Sequence, residues 1–247
     1  MSPRALSERL RAMTEARVML GRAGGGMPTR AVLDFALDHA RAREAVWSEM
    51  DLPALRAALA GYPLAEVVSA AGDRETHVRR PDLGRQLAAG TRLALPPSDL
   101  VIVVADGLSA MAVDAHAAQV VHALQALRET AAPVVLARQA RVALGDQIAA
   151  RAGARAVVVL IGERPGLSAA DSLGAYVTWA PEPGLPDSRR NCLSNIRSGG
   201  LDPQEAAHRI AALLAQMARE GTSGVGLKRE PPLPGQSARA LPGGAER

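Results

Sequence analysis

The N-terminal part of the chain carries apolar residues at helical spacing. They recur every three or four positions over residues 3–20, which predicts a helix. After the glycine-rich break at 21–27, the pattern predicts a second helix over 28–50 and a short third helix over 51–60. Together these helices predict a small N-terminal helical domain over residues 1–80.

The hydrophobic pattern changes at Val101. Residues 101–105 form a continuous apolar run, which is typical of a strand buried on both faces. Similar runs at 133–137 and 156–161 are separated from it and from each other by segments of helical pattern. This alternation predicts βαβ units and a parallel sheet with helices on both faces.

Less regular segments complete the prediction. They are a helix from Pro81, a short helix after Gly166 capped by Ser168, strands at 175–180 and 191–196, a helix from Asp202 to Gly221, and a last short strand in "SGVGL". Only ten Pro-rich residues join the two strands, too few for a parallel crossover, so these strands are predicted to be antiparallel.

The predicted fold is therefore α/β: a mostly parallel, Rossmann-like sheet flanked by helices, preceded by the helical domain. The α/β domain is predicted to cover residues 81–228. The Pro/Gly-rich residues 229–247 are predicted to form a disordered tail.

The composition of the chain argues against binding to nucleic acid and against a membrane span. The net charge is only +4, the arginines are interspersed with acidic residues, and the aromatics are only one Phe, two Trp and two Tyr. This argues against nucleic-acid binding, which needs a clustered basic surface or stacking platforms. No apolar run approaches membrane-span length. The single cysteine, Cys192, fits a reducing cytoplasm.

Polar side chains follow each predicted buried strand, at the edge where α/β sheets bind ligands. If the strand at 191–196 is antiparallel, its start is expected at this edge too. The rim would then carry a mixed set of charged and reactive residues: Asp106, Arg138, Arg141, Glu163, Arg164 and Cys192.

Familiar catalytic motifs are missing from the chain. There is no G-x-G-x-x-G after the first buried strand, no Walker sequence and no G-x-S-x-G. Cys192 could be a nucleophile, but a small buried residue is the more ordinary interpretation. His116 and His122 lie six residues apart and lack the spacing of a helical metal pair. The residues themselves therefore predict no metal site on this chain, and they leave a nucleophilic role for Cys192 as the less favoured alternative.

The turn "GERPG" suits side-chain display better than phosphate binding. Pro165 lacks an N–H, and Arg164 before it is pushed toward an extended conformation. Glu163 could accept hydrogen bonds from a ligand or belong to an ion-paired rim, and residue chemistry favours neither. Arg164 could orient Glu163 or face a partner chain.

Several motifs in order resemble the small (light) subunit of ethanolamine ammonia-lyase. They are "ARVMLGRAGGGMPT…LDFALDHARAREAV", "RRPDLGRQL", "DGLS", "GERPGL", "RNCLSNI" and "EAAHRIAALL…SGVGLK". The resemblance covers roughly residues 6–228. Each motif alone is weak, but six in order form a specific signal.

The resemblance implies a subunit of an adenosylcobalamin-dependent enzyme that converts ethanolamine to acetaldehyde and ammonia through radicals. A large TIM-barrel subunit would carry the substrate site, and this chain would close over the corrinoid between the two. The family's corrinoid contacts correspond here to Val142, Glu163 and Cys192. A cytoplasmic location is implied. Longer members carry an N-terminal extension linked to packaging in a bacterial microcompartment, which leaves packaging open here.

Two other functions remain as alternatives from the residues themselves. One is a stand-alone nucleotide-binding α/β enzyme. The other is a non-enzymatic corrinoid carrier, which is weakened because the motif D-x-H-x-x-G is absent: in "DAHAAQ", Gln119 stands where its glycine belongs.

Overall fold

A six-stranded mixed sheet forms the centre of the molecule in the computed structural model, which describes residues 3–14 and 17–227. The strands are β1 (Leu64–Val68), β2 (Leu100–Ala105), β3 (Val134–Arg138), β4 (Ala156–Gly162), β5 (Leu173–Trp179) and β6 (Arg190–Ile196). Their order is β1-β3-β2-β4-β5-β6. The first four are parallel, β5 is antiparallel to β4, and β6 is antiparallel to β5. The predicted α/β class and the antiparallel β5–β6 pair are confirmed.

Helices precede, connect and follow these strands. They are α1 (Pro3–Ala12), α2 (Thr29–Trp47), α3 (Leu52–Ala58), α4 (Arg74–Arg79), α5 (Ala110–Ala112), α6 (Ala118–Ala126), α7 (Leu144–Ala152) and α8 (Pro203–Glu220). A π-helical turn, Val113–Ala117, joins α5 to α6. Asp202 caps α8 as predicted, since its carboxylate accepts the backbone N–H groups of Gln204 and Glu205. In the described part of the chain, no helix is long and apolar enough to cross a bilayer.

Three local predictions were wrong, and one strand was not predicted. The unpredicted strand is β1, which lies in a segment that was included in the helical domain without an assigned element; its five residues include a central glutamate. Pro81 begins no α-helix, and the chain makes only a 3₁₀ turn at Leu83–Arg85. Residues Gly166 and Ala169 exchange backbone hydrogen bonds in a tight turn, which replaces the helix predicted there. "SGVGL" contains a 3₁₀ helix, Gly224–Gly226, in place of a strand.

The domain boundaries stay predictions. Because β1 pairs with β3, part of the range 1–80 contributes directly to the sheet. The tail predicted for residues 229–247 lies outside the described residues.

The core has two apolar layers, one on each face of the sheet. Alternate residues of the central strands point to opposite faces, so Ile102 and Val104 join one layer while Val101 and Val103 join the other. Helices α6 and α8 pack together on the first face, and α8 also contacts β5 and β6. On the second face α7 packs against β2 and β4. The part of β5 and β6 beyond α7 is thereby left open to line a cavity.

Candidate functional site

A cavity of about 730 Å³ opens beside the carboxyl ends of the parallel strands and extends over one face of β5 and β6. Its lining contains four arginines and two acidic residues: Arg85, Arg141, Arg164, Arg190, Glu163 and Asp187. Apolar and aromatic side chains, Val142, Ile161 and Tyr176, complete much of the remaining wall. The cavity is thus a mixed polar and apolar surface with an excess of positive charge.

The three predicted cofactor contacts line this same cavity. Val142 follows β3 just before α7, Glu163 follows β4 directly, and Cys192 lies within β6. They are 21 and 29 residues apart along the chain, and the sheet brings them together. Whether they contact a cofactor stays a prediction.

Cys192 reaches the cavity by a different route from the one predicted. Since β5 runs antiparallel to β4, the following strand β6 is parallel to β4 again, and its start lies at the opposite edge of the sheet. Cys192 instead lies opposite Tyr176, which lies opposite Val159. Directly opposed residues share a face, so Cys192 contributes to the floor of the cavity.

The thiol of Cys192 is poorly suited to ionise. Burial raises the pKa of the Cys192 thiol, and the nearby Glu163 charge raises it further, against a hydrogen bond from Tyr176. Burial, with the neighbouring Cys192, also raises the pKa of Tyr176 to about 12. Both groups are therefore mainly neutral at physiological pH, and only a small fraction of Cys192 is the thiolate that a nucleophile or metal ligand needs.

Two donors from other segments fix the Glu163 carboxylate. The Ser172 hydroxyl donates to Oε2, and the backbone N–H of Asn195 donates to the same oxygen at 3.2 Å. Oε1 lies over Gly174, where an added Cβ would be only 3.0 Å away. Asn195 has a left-handed backbone conformation, φ 60°, at the end of β6 where it donates to Glu163. These contacts, more than the proline of the turn, hold Glu163 in place.

Two of the predicted rim residues lie outside the cavity lining, and one of them is structural. Asp106 is only 2% exposed, and its carboxylate accepts the backbone N–H groups of Gln139 at 2.7 Å and Ala140 at 2.9 Å. Arg74 pairs with the same carboxylate at 3.5 Å. Asp106 thus joins the ends of β2 and β3. Arg138 also falls outside the lining, whereas Arg141 and Arg164 belong to it.

A buried histidine holds the same strand ends. His77 Nδ1 is 2.7 Å from the Gln139 carbonyl oxygen, and Nε2 is 2.9 Å from that of Gly107. Burial, with the guanidinium groups of Arg141 and Arg74, lowers the pKa of His77 to about 4. His77 is therefore neutral at pH 7, donates its single N–H to one of the two carbonyl oxygens, and supports one wall of the cavity.

The wall beside Cys192 depends on a buried ion pair that the sequence did not reveal. Arg190 pairs with Asp146, and both side chains are at most 2% exposed. Arg190 also pairs with the more exposed Asp187 at 3.2 Å and donates to the Leu185 carbonyl at 3.1 Å. Burial raises the pKa of Asp146 to about 6, against the opposing effect of Arg190. At neutral pH the pair is ionised and fixes Arg190 within the lining.

A mixed α/β sheet with a charged cavity at its strand ends is an arrangement typical of ligand-binding α/β proteins. The ethanolamine ammonia-lyase light-chain family, EutC, matches residues 5–228. The chain therefore belongs to this family.

Individual relatives agree with this assignment. The chain is 56% identical to an ethanolamine ammonia-lyase small subunit of Bradyrhizobium diazoefficiens over 241 residues, 92% of each chain. It is 51% identical to the Rhodopseudomonas palustris small subunit over 240 residues, 93% of this chain and 92% of the relative. The small subunit of Xanthomonas campestris pv. campestris is 47% identical over 246 residues, 94% of this chain and 90% of the relative.

Proposed function

We propose that this chain is the small subunit of an adenosylcobalamin-dependent ethanolamine ammonia-lyase, a cytoplasmic enzyme that forms acetaldehyde and ammonia from ethanolamine. The proposal rests on one observation above all: Val142, Glu163 and Cys192 line a single open cavity. Family membership supports the reaction. A large subunit is the expected partner because the relatives are named small subunits.

The chemistry of the cavity fits a corrinoid. Val142, Ile161 and Tyr176 offer apolar surface for a broad ring, and charged groups surround them. The Nε–H of Arg141 is buried and has no hydrogen-bond partner among the described residues, which leaves a donor for a ligand. Because the cavity is open on one side, a second subunit could cover the bound cofactor.

The cofactor and this chain would have separate tasks. When bound, adenosylcobalamin supplies the radical chemistry, and the protein supplies binding, orientation and electrostatics. Glu163 offers a fixed carboxylate that can accept an amide N–H. Cys192 and Val142 offer small uncharged contacts. In this proposal none of the three is catalytic, the substrate site lies on the large subunit, and packaging into a microcompartment stays a prediction.

Co-expression tests the proposal. The chain purified alone is expected to have no deaminase activity, and the complex with its large subunit is expected to release acetaldehyde when adenosylcobalamin is added. Isolated large subunit is the matched control. Failure to recover a complex with the large subunit, or nucleotide-dependent activity of the chain alone without cobalamin, would refute the proposal.

A further inference from the structure

Two of the four arginines in the cavity lining are neutralised by acidic residues. Arg190 pairs with Asp146 and Asp187. Arg85 lies 3.7 Å from Asp187. These two arginines therefore have carboxylate partners within the protein.

The other two arginines lack a carboxylate partner among the described residues. Arg141 donates to the His77 carbonyl oxygen at 3.2 Å, which is a neutral acceptor, and its Nε is buried without a partner. The nearby carboxylate of Asp106 is already paired with Arg74. Arg164 is exposed and makes no hydrogen bond or ion pair within the described part of the chain.

Glu163, the acidic residue next to Arg164 in the sequence, does not pair with either arginine. Glu163 Oε2 accepts hydrogen bonds from Ser172 and Asn195. Within the described part of the chain Arg164 makes no hydrogen bond or ion pair with Glu163, so the carboxylate is oriented without it. Burial and the neighbouring guanidinium of Arg74 lower the pKa of Arg141, against the opposing charge of Asp106.

We infer that Arg141 and Arg164 form an anion subsite in the cavity, and that it binds the phosphodiester of the cofactor's nucleotide loop. This inference rests on the proposed function. The corrin's amide side chains are neutral, so the phosphodiester is the anionic group that the cofactor can present. Guanidinium groups bind phosphate oxygens through short charge-assisted hydrogen bonds.

The test is corrinoid binding to the complex of this chain with its large subunit, measured by ultrafiltration and absorbance. Adenosylcobalamin is compared with adenosylcobinamide, which lacks the nucleotide loop and its phosphodiester. Arg164→Gln and Arg141→Gln are each expected to weaken adenosylcobalamin binding about tenfold. They are expected to leave adenosylcobinamide binding unchanged.

Control variants distinguish the effect of losing a positive charge in the cavity from the effect of disturbing the fold. Arg92 is exposed and lies outside the cavity lining, so Arg92→Gln should change neither affinity. Arg141→Lys keeps the charge and should retain more adenosylcobalamin affinity than Arg141→Gln. Should Arg141→Gln fail to assemble, the exposed Arg164 still provides the test.

Four results would overturn the inference. Equal weakening of both corrinoids, or no weakening of either, would exclude the phosphodiester as the group bound, while the proposed function would survive. Competition by inorganic phosphate without any effect of the variants on adenosylcobalamin would identify a site for free anion only. Failure of the unsubstituted complex to bind either corrinoid would refute the proposed function and this subsite with it.

Discussion

Acidification is predicted to destabilise the strand ends through His77. The folded pKa of about 4 lies below the ordinary value of 6.5, so between these values the unfolded chain binds more protons than the folded one. The stability that neutral His77 contributes is therefore complete above pH 6.5 and is lost as the pH falls toward 4. The loss amounts to ~2 kcal/mol by pH 5 and approaches ~3 kcal/mol at lower pH.

The assay is urea unfolding of the full chain between pH 7 and pH 4, followed by circular dichroism. His77→Gln is the matched variant because glutamine keeps an N–H donor for a carbonyl oxygen but does not titrate in this range. As the pH falls, the unfolding free energy of the wild type should decrease relative to that of the variant. If the two carbonyl contacts instead hold an imidazolium, the wild type would gain stability relative to the variant on acidification, and the reasoning would be refuted.

Two substitutions test the framework of the cavity. Gly162→Ala would place a Cβ 1.9 Å from a neighbouring backbone carbonyl oxygen. We therefore expect the free energy of unfolding to fall by at least ~3 kcal/mol, or the protein to be insoluble. Gly61→Ala is the control, because its added Cβ meets nothing within 4 Å and should be tolerated. Equal thermal midpoints for the two variants would contradict the close packing of the strand ends. Asp146→Ala leaves Arg190 without its buried partner and should cost ~3 kcal/mol in urea unfolding, while Asp187→Ala should cost much less because Asp187 is 70% exposed. A larger effect for Asp187 than for Asp146 would show that the buried pair is not the stabilising one.

The sequence predicts those strands that are buried on both faces and therefore consist of a continuous apolar run. The runs of β2 and β4 are apolar throughout, because both faces of each strand pack against helices. Strand β1 differs because it lies at the sheet edge and places Glu66 in an ion pair with Arg56. A charged residue at the centre of five removes the apolar pattern, so the strand could not be recognised.

Only part of the cavity could be predicted, because some of its residues are positioned by contacts between distant segments. Glu163 and Arg164 directly follow a recognisable strand, so their place at its end could be inferred. The partners that fix the wall come from distant segments: Ser172 on the return from the turn, and Arg190 paired with Asp146 44 residues earlier. Such contacts depend on strand direction and register, which short-range patterns do not specify.

The central claim is that the cavity containing Cys192 receives the corrinoid. Cys192 is the chain's only cysteine and is exposed, so its alkylation by N-ethylmaleimide can be followed by mass spectrometry. In the complex with the large subunit, adenosylcobalamin is expected to slow alkylation of Cys192 at least about tenfold relative to the same complex without cofactor, because the bound corrinoid would cover the thiol. An alkylation rate unchanged by saturating cofactor would contradict the account.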